Sequence, residues 1–121
     1  MPYTITWESK GILRTFRGRV SSAEFAHAQA EMYGDPRFES ARYALIDFSA
    51  VTELAYTPGD VEEITASNRG AYLTNPNLQV AVVTTDGGMQ ALLAKMKDIS
   101  AYPLFVFGTM DDARRWLASG G

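Results

Sequence analysis

Cysteine is absent from this 121-residue chain. That excludes disulfides, zinc–thiolate sites and a thiol nucleophile. There is one histidine, His27, so a metal centre or catalytic triad would have to be built almost wholly from other groups. Its place beside the apolar stripe of a helix, with no ligand spacing around it, reads as a partly exposed helix residue, and no metal or cofactor is expected. No apolar run approaches the roughly 18 residues that span a membrane. A surplus of positive charge is also missing: the formal net charge is −3, which argues against nucleic acid or an anionic membrane as partner. Met1-Pro2-Tyr3 opens directly on a strand-like pattern with no signal peptide, which makes the cytoplasm the expected location. At 46% hydrophobic and 21% charged residues, the composition is that of an ordinary globular domain. One domain is expected over residues 1–119, with 120–121 as a tail.

Residues 3–8, YTITWE, alternate with period two and read as a strand. Ser9-Lys10-Gly11 turns into a second strand at 12–20, making a hairpin in which Gly18 marks a bulge or close approach. Ile12, Phe16 and Val20 share one face with Arg14, which therefore needs a carboxylate or a route to solvent. Ser21-Ser22-Ala23-Glu24 is a capping box. The helix it opens buries Phe25, Ala28, Gln29 and Met32 and ends at Gly34. Residues 42–48 hold a continuous apolar strand, the mark of burial on both faces. A crossing loop over 47–56 then leads to a helix capped by Thr57, with Pro58 in its first position. Further strands fall at 78–84 and 104–107. A third helix is set by Met89, Leu92, Leu93, Met96 and Ile99, and a last one follows the N-cap Thr109. The expected fold is α/β: a mixed sheet of about five strands with about four helices, in the order ββαβαβαβα.

This order resembles the SpoIIAA-like family, related in fold to STAS domains and to CRAL-TRIO lipid-binding modules. The resemblance is carried by DPRF at 35–38, ALIDFSAVTEL at 44–54, VAVVT at 80–84 and VFGTMDDARRWL at 106–117. STAS domains of the anti-anti-sigma type carry an Asp-Leu-Ser-like strand end, then Asp-Ser-Ser-Gly with a phosphorylated serine. Asp47-Phe48-Ser49 is similar to the first part, and the likeness puts Thr57 at the phosphoacceptor position. Ala55 and Pro58 replace the flanking acid and glycine of that pattern.

Each candidate has a structural alternative. Thr57 is a phosphoacceptor or simply an N-cap. Asp47 is a site acid or a turn aspartate bonding the amides of Ser49 or Ala50. Thr84-Thr85-Asp86-Gly87-Gly88 would cradle an anion or merely cap a helix, and it lacks the phosphate-loop patterns. Arg17 and Arg19 would grip an acidic group or guard a sheet edge. Met89, Met96, Trp7, Tyr56, Tyr72, Phe48 and Trp116 would line an apolar pocket or pack a core. No base stands near a nucleophile, so no catalytic residue is assigned and the chain is not expected to be an enzyme. The leading expectation is a binding module holding a small apolar or lipid-like ligand near the 47–60 junction through Phe48, Tyr56, Thr57, Met89 and Met96. The alternative is a phospho-switch domain centred on Thr57 that binds a protein partner. A homodimer through the hairpin edge or the third helix is a further expectation.

Overall fold

A computed structural model describes residues 3–55, 75–88, 90–91, 94 and 104–119. Strands β1 (Tyr3–Trp7) and β2 (Gly11–Ser21) form the antiparallel hairpin, followed by helix α1 (Ser22–Gly34). A single 3-10 turn, Pro36–Ser40, leads into β3 (Tyr43–Ala55). Then come β4 (Gln79–Val83), β5 (Leu104–Phe107) and helix α2 (Met110–Ala118). The sheet order is β1-β2-β3-β4-β5, with β2 to β5 mutually parallel. The mixed α/β architecture and the five strands agree with the expectation. Among the described residues there are two full α-helices. Residues 87, 88, 90, 91 and 94 are also helical, while the expected helix after Thr57 and most of the third helix lie outside the described residues.

The strands read as buried on both faces are so. One face of the sheet carries Ile12, Phe16, Ala44, Ile46, Phe48, Val80 and Val82 against Phe25, Ala28 and Met32 of α1. The other carries Leu45, Ala81 and Val83 against Ala113 of α2, with Trp116 and Leu117 at its margin. α1 begins at the predicted capping box: the Glu24 amide donates to Ser21 Oγ at 3.2 Å, and Glu24 Oε1 accepts from the Ser21 amide at 3.2 Å. Its end differs by one position. Gly34 is the last helical residue, and Asp35 in extended conformation is the cap. Asp35 then caps the 3-10 turn, accepting from the Arg37 amide at 2.9 Å and from Arg37 Nη2 at 2.7 Å. That pairing holds the Asp35 carboxyl down at about 2. The guanidinium so fixed lies 4.6 Å over the Trp7 ring, while Phe38 is buried. The motif DPRF is thus a local device that staples the turn to the hairpin.

The loop expected over 47–56 is corrected. β3 does not stop at Phe48 but runs 13 residues to Ala55. Beyond Asp47, the last residue opposite β4, it pairs with β2 from Arg17↔Ala50 to Ser21↔Ala55. Two register shifts each insert one extra residue in β3, between Thr15/Arg17 and between Gly18/Arg19 of β2. They are bulges, which bend and twist a strand. Gly18 stands at the second with φ +66, a backbone state that suits glycine. The first keeps Phe48 and Val51, three residues apart, both against the α1-side core.

Arg14 does not reach solvent; it stays buried beneath α1 with its guanidinium carbon 5.3 Å from the Phe25 ring centroid. Gly11 has a comparable steric role on the other side. A Cβ there would come within 2.6 Å of the Tyr43 ring, so its absence lets that ring lie flat across β2. The Tyr43 hydroxyl donates to Glu8 Oε1. Arg114 of α2 grips the same carboxylate with both terminal nitrogens, at 3.0 and 2.8 Å. The hairpin turn, the central strand and the closing helix are thereby tied by one carboxylate.

The Arg114 bond, then the Tyr43 bond, holds Glu8 below its ordinary 4.5, against the opposing pull of partial burial. A lowered folded value means the pair stabilises fully above 4.5 and is lost as pH falls through that lower value. Arg114 remains 43% exposed, so solvent screens the pair. Glu8→Gln is expected to cost about 1 kcal/mol near neutral pH. In urea unfolding, the gap from the unaltered protein should close as the pH drops below 4.5.

Candidate functional site

The carboxyl ends of the parallel strands are where open α/β sheets usually place their sites, because the chain parts there to either side. On β3 that edge is Asp47, opposite Thr15 of β2 and Val83 of β4. Asp47 Oδ1 accepts from the Ser49 amide at 2.9 Å, the local turn bond anticipated for it. The carboxylate is therefore engaged by its own strand, at the first bulge.

The neighbouring loop after β4 is closed by similar local chemistry. Thr84 is buried, and its amide donates to the Phe107 carbonyl at 2.9 Å. Its hydroxyl accepts from the Asp86 amide at 3.2 Å, and its carbonyl accepts from Gln90 Nε2 at 3.2 Å. The Asp86 carbonyl takes the Gln90 amide at 2.9 Å, the first bond of a helical turn. Asp86 thus occupies a helix-cap position, and Gly87 and Gly88 enter the helix without positive φ.

Of the five residues expected to hold an apolar ligand, Phe48 alone lies among the described residues. Phe48 is a core residue, 4% exposed, with its ring centroid 5.3 Å from Phe16 and 6.2 Å from Phe25. It flanks no loop, because the segment that follows is strand. Trp7 and Trp116 lie on opposite sides of the sheet: Trp7 packs with the α1-side core, while Trp116 stacks 4.5 Å from Phe105 and 5.5 Å from Phe107. A single pocket lined by both is ruled out by the sheet between them. Tyr56, Thr57, Tyr72, Met89 and Met96 lie outside the described residues.

Arg17 and Arg19 face outward on the β2–β3 ribbon, as the strand period requires, and Arg19 Nε pairs with Glu53 at 3.0 Å. His27 is largely exposed, with Nδ1 2.6 Å from the Tyr3 hydroxyl, which also donates to Glu31 at 3.0 Å. Among the described residues no group of three His, Cys, Asp or Glu side chains could hold a metal. No described helix is long and apolar enough to cross a membrane. A cleft at the opposite end of the sheet carried no sequence signal. It joins the starts of strands that are far apart in the chain.

A mixed sheet with an opening hairpin, three parallel additions and a closing helix makes an α/β domain. Neither a family model nor a curated protein matches the chain. Solved structures do. The anti-sigma factor antagonist SpoIIAA in its unphosphorylated form matches with a TM-score of 0.66 at 5% identity, over 98% of this chain and 99% of that one. Bacillus SpoIIAA in its phosphorylated form matches at 0.63 and 7% identity, over 95% and 98%. An anti-sigma factor antagonist from Mycobacterium paratuberculosis matches at 0.60 and 18% identity, over 96% and 92%. The chain has the SpoIIAA-like fold from end to end. The relation to CRAL-TRIO modules gains nothing from these superpositions.

Because Phe48 is buried against Phe16 and Phe25, Phe48→Ala is expected to cost about 3–5 kcal/mol in urea unfolding of the ligand-free protein. A residue that served only to touch a ligand would leave that midpoint unchanged.

Proposed function

We propose that this chain is a non-catalytic regulatory module that binds a protein partner and is switched by phosphorylation of Thr57. The observation that carries the reading is the course of β3. Ala55 is the last strand residue, still paired with Ser21, so Thr57 follows the carboxyl end of a central strand by two positions. The fold likeness to an anti-sigma factor antagonist in both its unphosphorylated and phosphorylated forms supports the same reading. The replacement of the flanking acid by Ala55 and of the glycine by Pro58 gives the segment its own surroundings, so its kinase and its partner need not be those of the antagonists it resembles. A phosphate adds up to about two negative charges and three strong acceptors, enough to alter a protein contact without a large rearrangement.

The apolar-ligand reading is weaker. Phe48, which was to anchor it, belongs to the core, leaving Tyr56, Thr57, Met89 and Met96 supported by sequence alone.

Protein isolated from its native cells is expected to carry phosphate on the peptide containing Thr57. Phosphatase should remove it, and T57A should lack it. An unmodified Thr57 across growth conditions, or the same phosphate content in T57A, contradicts the switch.

A further inference from the structure

The parallel strands begin at the pole opposite Ala55, and the starts of β3 and β4, with Lys10 just before β2, border a cleft of about 970 Å3. That is at the upper end of the range for small-molecule sites. Its described lining mixes polar and apolar surface and carries three cations, Lys10, Arg42 and Arg114, against one carboxylate, Glu39. Arg114 is already matched by Glu8. Lys10 and Arg42 remain, both exposed, and neither makes a side-chain hydrogen bond or ion pair with another described residue. A local excess of positive charge in a chain of net charge −3 runs against the average of its surface.

The cleft is also built rather than incidental. The Arg42 amide donates to the Lys10 carbonyl at 2.6 Å, which fixes the two cationic residues beside each other. The Arg42 carbonyl accepts from the Gln79 amide at 3.0 Å, joining the rim to the start of β4. Asn75 is buried in the floor, its Nδ2 donating to the Phe38 and Ala41 carbonyls at 2.8 and 2.7 Å. Side-chain amides of Asn77 and Gln79 share the lining. Amides both donate and accept, so they suit hydroxyl groups. A preformed floor lowers the ordering cost of binding.

We infer that this cleft binds a small hydroxylated anion, its carboxylate or phosphate held by Lys10 and Arg42 and its hydroxyls by the Asn77 and Gln79 amides. The ligand is a small molecule, and its site is separate from the Thr57 junction.

The test is nuclear magnetic resonance titration of the full chain with three probes that share one body: gluconate, a glucose phosphate monoester and neutral glucose. Gluconate or the phosphate ester, or both, should shift the amides of residues 40–43 and the side-chain amides of Asn77 and Gln79 in a saturable way, and glucose should not. The arm that binds identifies the anionic head. The double variant Lys10→Ala/Arg42→Ala should weaken binding about tenfold or more, while Arg17→Ala/Arg19→Ala and T57A leave it unchanged. Should the cleft double variant fail to fold, the single variant Arg42→Gln should show a smaller loss in the same direction. Absence of saturable shifts with both anions, equal shifts with glucose, or equal loss in the Arg17/Arg19 variant overturns the proposal.

Discussion

Parallel pairing of β2 with β3, from Gly11 opposite Tyr43 to Ser21 opposite Ala55, sets the position of every other element. A parallel pair needs a crossover, and α1 supplies it, packing Phe25, Ala28 and Met32 onto the face it crosses. Phe16 and Phe48, from the two strands, meet Phe25 there at centroid distances of 5.4 and 6.2 Å. Such aromatic contacts add about 0.5–1.5 kcal/mol each beyond their buried area. At one end of the pair, Gly11 accepts the Tyr43 ring and directs it to Glu8 and Arg114. At the other end the two strands outrun their neighbours as a bulged ribbon and deliver the chain to Thr57.

Much of this frame was legible in the sequence, and for local reasons. The Ser21–Glu24 box, the Asp47–Ser49 turn bond and the Thr109 cap each depend on residues within three positions of one another. The apolar runs at 43–46 and 80–83 report burial on both faces because no polar residue interrupts them. The extension of β3 was not legible. Ser49, Ala50, Thr52 and Glu53 are exposed, and two bulges destroy the alternation that would reveal a strand. The same bulges hid the role of Phe48, which falls in the segment expected to be a loop and is a buried member of an aromatic cluster. Arg14 was read correctly as facing the core, but not its lodging against the Phe25 ring, which depends on where α1 lands.

The two ends of the sheet differ in kind. The carboxyl end carries local capping and turn bonds around Asp47, Thr84 and Asp86. The amino end gathers residues from the hairpin turn, the 3-10 turn, β4 and α2 around an open cleft that carries Lys10 and Arg42. No sequence window spans those pieces, so only the folded chain brings Lys10 and Arg42 together. The clamp of Glu8, Tyr43 and Arg114 stands at the side of that cleft and steadies it.

The bulged ribbon that carries the chain toward Thr57 requires β3 to be a strand to Ala55, paired with β2 beyond the reach of β1 and β4. Amide hydrogen exchange of the unmodified protein measures this directly. The account predicts strong protection within 12–16 and 44–48, and clear protection continuing through 50–55, with weak points at the two bulges. Exchange across 50–55 as fast as in an open loop would contradict it.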